Sequence, residues 1–143
     1  ITTRTASRGL LIVGLLTLLS CAGERPASLG VQDNRLATCP DSPNCVSSFD
    51  TRESHGIEPL TGNLAQVRAA LEQMPRASII SSEGNYLYAE FTSRLMGFVD
   101  DVEFLADPAA GVVHVRSASR LGHSDLGVNR ERVENLRTLM ANR

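Results

Sequence analysis

The chain of 143 residues contains no lysine and no tryptophan, and only two tyrosines and four phenylalanines. Without lysine, Schiff-base chemistry is excluded, as is a glycine-rich phosphate loop completed by a lysine. So few aromatic rings leave stacking platforms for bases or sugars poorly supplied. An excess of charge is also missing: 14 basic side chains, all arginine, face 16 acidic ones, for a net charge of -2. Nucleic-acid binding needs a basic surface to neutralise phosphates, so that partner class is not expected. Gly-x-Ser-x-Gly and His-Glu-x-x-His are absent, which removes the familiar hydrolase and zinc-protease signatures. The carboxylates Asp100, Asp101 and Glu103 lack calcium-loop spacing. No metal, no cofactor and no catalytic residue is assigned from the sequence.

Long apolar runs are confined to the N-terminus. Arg4 and Arg8 precede "LLIVGLLTLLSC", Leu10 to Cys21. A basic start, about ten apolar residues and a small residue at the end fit a secretory signal. Ten residues make a helix of roughly 15 Å, about half of what a bilayer span needs. Leu18-Leu19-Ser20-Cys21 resembles the lipobox of bacterial lipoproteins, although Leu is less usual than Ala, Thr or Val at its second position. That resemblance implies a signal peptide with lipobox over 1–21 and a lipid on Cys21. The protein is then exported and held on a bacterial envelope membrane by that lipid. An ordinary signal peptide, releasing a soluble periplasmic or secreted protein, is the alternative. Residues 22–36 are small and polar without apolar periodicity and read as a flexible tether. Residues 37–143 are enough for one domain with a modest core.

Of three cysteines, lipidation of Cys21 leaves Cys39 and Cys45 as a pair in an oxidising compartment. The intervening Pro-Asp-Ser-Pro-Asn is turn chemistry, already bent toward closure. Redox catalysis prefers a two-residue spacing that puts one thiolate at a helix N-terminus. Zinc with His55 as a third ligand lacks a second ligand pair. A disulfide staple is the reading adopted.

Asn63 with Gln66 forms a capping-box pattern, and Leu64, Val67, Leu71 and Met74 follow as one helical stripe ended by Pro75. Four strands are then expected. "ASIISSE" has ambiguous faces. "YLYAEFTSRL" alternates, with Leu87, Ala89, Phe91 and Leu95 on one side and Tyr86, Tyr88, Glu90, Thr92 and Arg94 on the other. "FVDDVEFLA" and "VVHVRSASR" flank the hairpin loop "DPAAG". A last helix, capped by Asn129, carries Val133, Leu136, Leu139 and Met140. The fold class expected is α+β: a four-stranded antiparallel sheet, two helices packed on one face and a disulfide-stapled N-terminal loop. The other face is expected to stay polar and open.

A meander would gather Glu90, Arg94, Asp101, Glu103, His114, Arg116 and Arg120 on that face. Such a mixture is either a solvated ion-paired surface or a groove whose arginines clamp an anion. In "RSASRLGHSDLGVNRER", Asp125 and Asn129 lead into a helix N-terminus, where backbone N–H groups attract anions or are merely capped. Arg130 and Arg132 there need an anionic partner, because cations at a helix N-terminus are unfavourable. The candidate ligand-binding residues are Arg94, Asp101, Arg116, Arg120, Asp125, Asn129 and Arg130. His123, two residues before Asp125, offers an imaginable general base.

The stretches "CPDSPNCVSS", "HGIEPL", "GFVDDVEF" and "VRSASRLGHSDLGVNRERVE" together resemble the bacterial and plant family catalogued as domain of unknown function 1499. The resemblance covers nearly everything from Leu36 onward and implies a small exported or membrane-associated protein. It brings no activity and no catalytic residues. The function expected is therefore a non-enzymatic envelope lipoprotein that binds a small polar or anionic ligand, or a partner protein. A hydrolase or transferase with a His/Asp general base, acting on an envelope substrate, is the alternative.

Overall fold

Residues 22–142 are described in a computed structural model. The expected signal segment and Cys21 lie outside the described residues. No described helix is long and apolar enough to cross a membrane.

In chain order the elements are β1 (Cys45–Ser47), β2 (Leu60–Thr61), α1 (Leu64–Leu71), β3 (Ala77–Glu83), β4 (Tyr86–Thr92), β5 (Val99–Asp107), β6 (Val112–Ser119) and α2 (Val128–Ala141). The antiparallel sheet runs β1-β6-β5-β4-β3, and β2 also pairs with β6. It therefore has six strands, not four. The two extra strands are three and two residues long, too short to display a period of two in sequence. They share one edge: Cys45 to Ser47 lie beside Ala118 to Arg116, and Leu60 and Thr61 beside Val113 and Val112.

The capping box forms as its spacing predicts. Asn63 Oδ1 accepts from Gln66 N (3.0 Å), and Gln66 Oε1 accepts from Asn63 N (2.9 Å). The helix ends at Leu71, and turn bonds carry the chain on to Met74. The ambiguity of "ASIISSE" has a physical cause, since the β3–β4 register shifts between Ile79 and Ser81. The other helix is not capped by Asn129. Gly127 stands at its N-cap in the left-handed region, while Asp125 accepts from the Gly127 and Asn129 N–H groups (both 2.9 Å).

Both helices lie on one face, as the apolar stripes require. Val67, Ala70 and Leu71 of α1 and Val133, Leu136 and Met140 of α2 meet Leu87, Ala89, Phe91, Val102, Phe104, Val113 and Val115. Val46 and Leu60 from the two short strands complete this core.

The opposite face is polar but not open. Asp101, Glu103, Arg116 and Tyr88 on it are all buried. Residues N-terminal to the sheet make contacts across it: Gly30 N donates to Glu103 Oε1 (2.7 Å), Arg25 Nε to Glu90 Oε1 (2.7 Å), and Gly23 O accepts from Arg120 Nη1 (3.4 Å).

Cys39 and Cys45 are joined by a disulfide, with a Cα–Cα distance of 5.7 Å. The staple leads directly into β1, so it fixes where the chain joins the sheet edge. Asp50 and Arg52 reinforce it. Asp50 Oδ2 accepts from Cys39 N (3.3 Å), and Arg52 Nη2 donates to Cys39 O (2.7 Å). Closing so small a ring limits the unfolded chain by about 2 kcal/mol. The Cys39→Ala, Cys45→Ala protein is expected to lose about that much in urea unfolding. An unchanged midpoint would mean that Asp50 and Arg52 alone hold the loop.

Candidate functional site

The register of β4, β5 and β6 builds the polar face. Tyr88 stands opposite Glu103, Glu90 opposite Asp101, and Glu103 opposite Arg116. Arg120, just beyond β6, reaches back diagonally. Its Nη2 donates to Asp101 Oδ1 (2.6 Å) and Glu90 Oε1 (2.8 Å), and its Nε to Asp101 Oδ2 (3.1 Å). The Tyr88 hydroxyl donates into the same cluster, 2.5 Å from Asp101 Oδ1 and 2.8 Å from Glu90 Oε1. Burial works to raise the Glu90 carboxyl. Hydrogen bonds from Arg25, Arg120 and Tyr88 outweigh it and hold the group at about 2. Arg120 is held above its ordinary value, chiefly by its bond to Asp101. Tyr88 is pushed up by burial and by the two carboxylates it serves. These groups satisfy one another and form a closed network.

Beside it lies a pair that does not close. Arg116 Nη1 is 3.7 Å from Glu103 Oε2, too far for a hydrogen bond. Glu103 Oε2 and Arg116 Nε are both buried without a hydrogen-bond partner. Oε1 of the same carboxylate is well served, by Gly30 N and by the Tyr86 hydroxyl (2.9 Å). Burial pushes the Glu103 carboxyl up and pulls the Arg116 guanidinium down, and their mutual attraction does not offset either shift. Arg116 is only 6% exposed, yet among the described residues its guanidinium makes no hydrogen bond. It lines a cavity of about 460 Å³ under the N-terminal segment, with Ser28, Thr38, Asn44, Asp101 and Ser119. An unsatisfied buried donor and acceptor each cost about 1–3 kcal/mol. A small guest in this cavity that accepts from Arg116 would remove the penalty on the guanidinium.

A second cleft, about 630 Å³, opens at the other end of the same face and is lined by Arg35, Phe49, Asp107 and His114. The His114 ring stacks on Phe49 at 4.2 Å, and the Arg35 guanidinium lies 4.5 Å over that ring. Ser48 Oγ accepts from Val115 N (3.0 Å) and stands 3.1 Å from His114 Nδ1. Burial lowers the affinity of His114 for a proton, with Arg35 adding to that and Asp107 opposing it.

The residues singled out in the sequence fall into three groups. Asp101, Arg116 and Arg120 converge on the polar face as expected. Arg94 does not join them; it is exposed in the loop between β4 and β5. Asp125 and Asn129 belong to the α2 N-terminus, and Arg130 reaches Ser54 O (3.3 Å). Arg132, which needed an anionic partner, is bonded to Asp100. His123 is exposed, while Asp125 is engaged with backbone N–H groups and with Asn129. Sequence reasoning missed Arg25 and Gly30, because nothing in a small polar stretch marks it as the roof of a charged face. The tyrosines were legible as a pair on the polar side, but not as donors to Asp101 and Glu103.

Comparison with curated proteins and with solved structures returned no match. The family model described as "Protein of unknown function (DUF1499)" matches residues 35–140. That span holds the disulfide, every described strand, α1, all but the last residue of α2, and the unclosed Glu103–Arg116 pair, though not Arg25 and Gly30 above it. The chain belongs to this family of unknown function.

Proposed function

We propose that this protein is a non-enzymatic envelope lipoprotein whose domain binds a small polar or anionic ligand. The carrying observation is the buried Arg116 guanidinium, without a hydrogen bond among the described residues, lining a cavity that also holds Asp101 and Asn44. An arginine so placed matches a carboxylate or phosphate oxygen. Export and lipidation rest on Arg4, Arg8, the apolar Leu10–Leu19 stretch and Cys21.

Lactate and inorganic phosphate are suitable first probes, titrated calorimetrically. The wild type is expected to bind at least one of them. The paired variant Glu103→Gln, Arg116→Met keeps the volume and removes both charges together, so no orphaned ion is left behind. It is expected to fold and to lose roughly ten- to a hundredfold in affinity, as removal of a charged hydrogen bond does. Equal binding by the variant, or none by the wild type, would overturn the site.

The hydrolase alternative has one observation in its favour, the Ser48–His114 contact in the second cleft. The Ser48 oxygen already accepts the Val115 N–H, which draws electron density from the atom that would attack. No His/Asp pair is formed by His123 and Asp125 among the described residues. Binding is the better-supported reading.

A further inference from the structure

Six of the eight large apolar side chains exposed among the described residues stand at one end of the sheet. Leu95, Met96 and Phe98 belong to the loop between β4 and β5, and Leu121, Leu126 and Val128 to the connection from β6 into α2. The two loops are neighbours, since Phe98, Leu121 and Val128 line one groove of about 240 Å³. Leu95 is 90% exposed and Leu126 is 95% exposed. Leu126 is also held in the left-handed region at φ 54°, which is unfavourable for a side chain with a Cβ. Backbone strain here holds an apolar side chain in water, an arrangement that water does not reward.

The chain itself indicates what covers this end. Gly23 packs so closely on Leu121 that a Cβ on the glycine would lie 3.0 Å from that side chain. Two residues span at most about 7 Å, so the sulfur that would carry the lipid is tied to this same end. The ionic pattern agrees. Asp100 is bonded to Arg132, and Asp125 is engaged by the α2 N-terminus, while Arg94 is exposed in the apolar loop. An apolar tip with an exposed cation and internally satisfied acids suits a lipid headgroup layer. The opposite end carries Glu83, Asn85 and Asp107 about its two turns, with small residues from Pro108 to Gly111.

We propose that this end of the domain rests on the bilayer that holds the anchor, with Leu95, Met96 and Leu126 inserted among the headgroups. The membrane-facing loops then fix the domain's orientation and leave the polar turns pointing away. The proposal rests on lipidation of Cys21, and the test separates the two.

The chain has no tryptophan, so a single introduced one reports its own surroundings. Full-length lipidated protein carrying Leu126→Trp, or Ala109→Trp at the opposite end, is reconstituted into phosphatidylethanolamine–phosphatidylglycerol vesicles, with and without brominated acyl chains. Flotation reads the anchor, and quenching reads the orientation. The expected result is co-flotation of both variants, with Leu126→Trp quenched roughly threefold more than Ala109→Trp. Co-flotation with equal quenching overturns the docking and leaves the anchor standing. Failure to float overturns both. A blue-shifted Leu126→Trp that brominated lipid does not quench also overturns the docking. It means that a second copy covers the face instead.

Discussion

Arg120→Ala is expected to destabilise the domain by about 3–5 kcal/mol, the largest effect of any single polar substitution on this face. The size follows from what is left behind. Asp101 is almost fully buried and receives two of its three side-chain hydrogen bonds from Arg120, through Nη2 and Nε. Its other donor among the described residues is the Tyr88 hydroxyl, so truncation strands a buried carboxylate. Glu90 fares better, because Arg25 and Tyr88 still reach it. Loss on this scale is a large share of the 5–15 kcal/mol by which domains are ordinarily stable. It would appear in urea unfolding at pH 7 as a lower midpoint with unchanged slope. Adding Asp101→Asn to Arg120→Met removes both charges and is expected to restore much of the loss. If Arg120→Ala costs less than about 1 kcal/mol, solvent reaches the cluster and the N-terminal segment does not roof it.

The same network sets the acid limb of stability. Glu90 is held at about 2, below its ordinary 4.5. A depressed carboxyl contributes stability that is present above its unfolded value and lost as the pH falls through its folded one. The wild-type midpoint should therefore decline between about pH 4.5 and 2. In Arg120→Ala one of the bonds that depress Glu90 is gone, so the decline should be shallower. Glu103 works in the opposite direction, since burial raises it. Its contribution is fully present below its ordinary value and is lost as the pH rises through its folded value.

How much of this could be read from sequence depends on whether a feature is local. The capping box at Asn63 and Gln66, the strand "ASIISSE" and the two helix stripes are short-range patterns, and each is present, though the first helix stops at Leu71 and leaves Met74 in a turn. The convergence of Asp101, Arg116 and Arg120 needed only a meander and a period of two. What failed needed contacts between distant segments. β1 and β2 exist because β6 offers an edge long enough for both, which no window of two or three residues reveals. Arg94, in phase with the alternation of β4, nevertheless falls outside it, because the strand ends at Thr92 and the loop turns away. The open polar face was the most consequential error. A strand pattern tells which side is polar, and it cannot tell that Gly30 and Arg25, more than sixty residues upstream, lie over it.

Asn129→Ala is expected to cost about 2–4 kcal/mol, which gives the densest stretch of the sequence a structural meaning. Asn129 is fully buried. Its Nδ2 donates to Asp125 Oδ2 (2.8 Å), Ser119 Oγ (2.9 Å) and Asn44 O (3.1 Å). Its Oδ1 accepts from Ser117 Oγ and Arg132 Nη1, both at 2.7 Å. One amide thus ties the loop before β1, the end of β6, the α2 cap and the arginine that lies 4.6 Å over the Phe91 ring. Truncation removes a buried hydrogen bond in all four places. Asn129→Asp keeps the shape but sets a second carboxylate in contact with Asp125, and two such charges cannot both ionise. That variant should be unstable at pH 7 and regain stability as the pH falls and one carboxyl takes a proton. Asn129→Ala offers no such recovery. A small cost for Asn129→Ala, or an Asn129→Asp protein insensitive to pH, would return this stretch to the list of ligand sites. The expected outcome separates the motif into two roles. Ser117, Ser119, Asp125, Asn129 and Arg132 build the joint between sheet and helix, and Arg116 and Arg120 turn to the other face, Arg120 into the closed network and Arg116 without a hydrogen bond among the described residues.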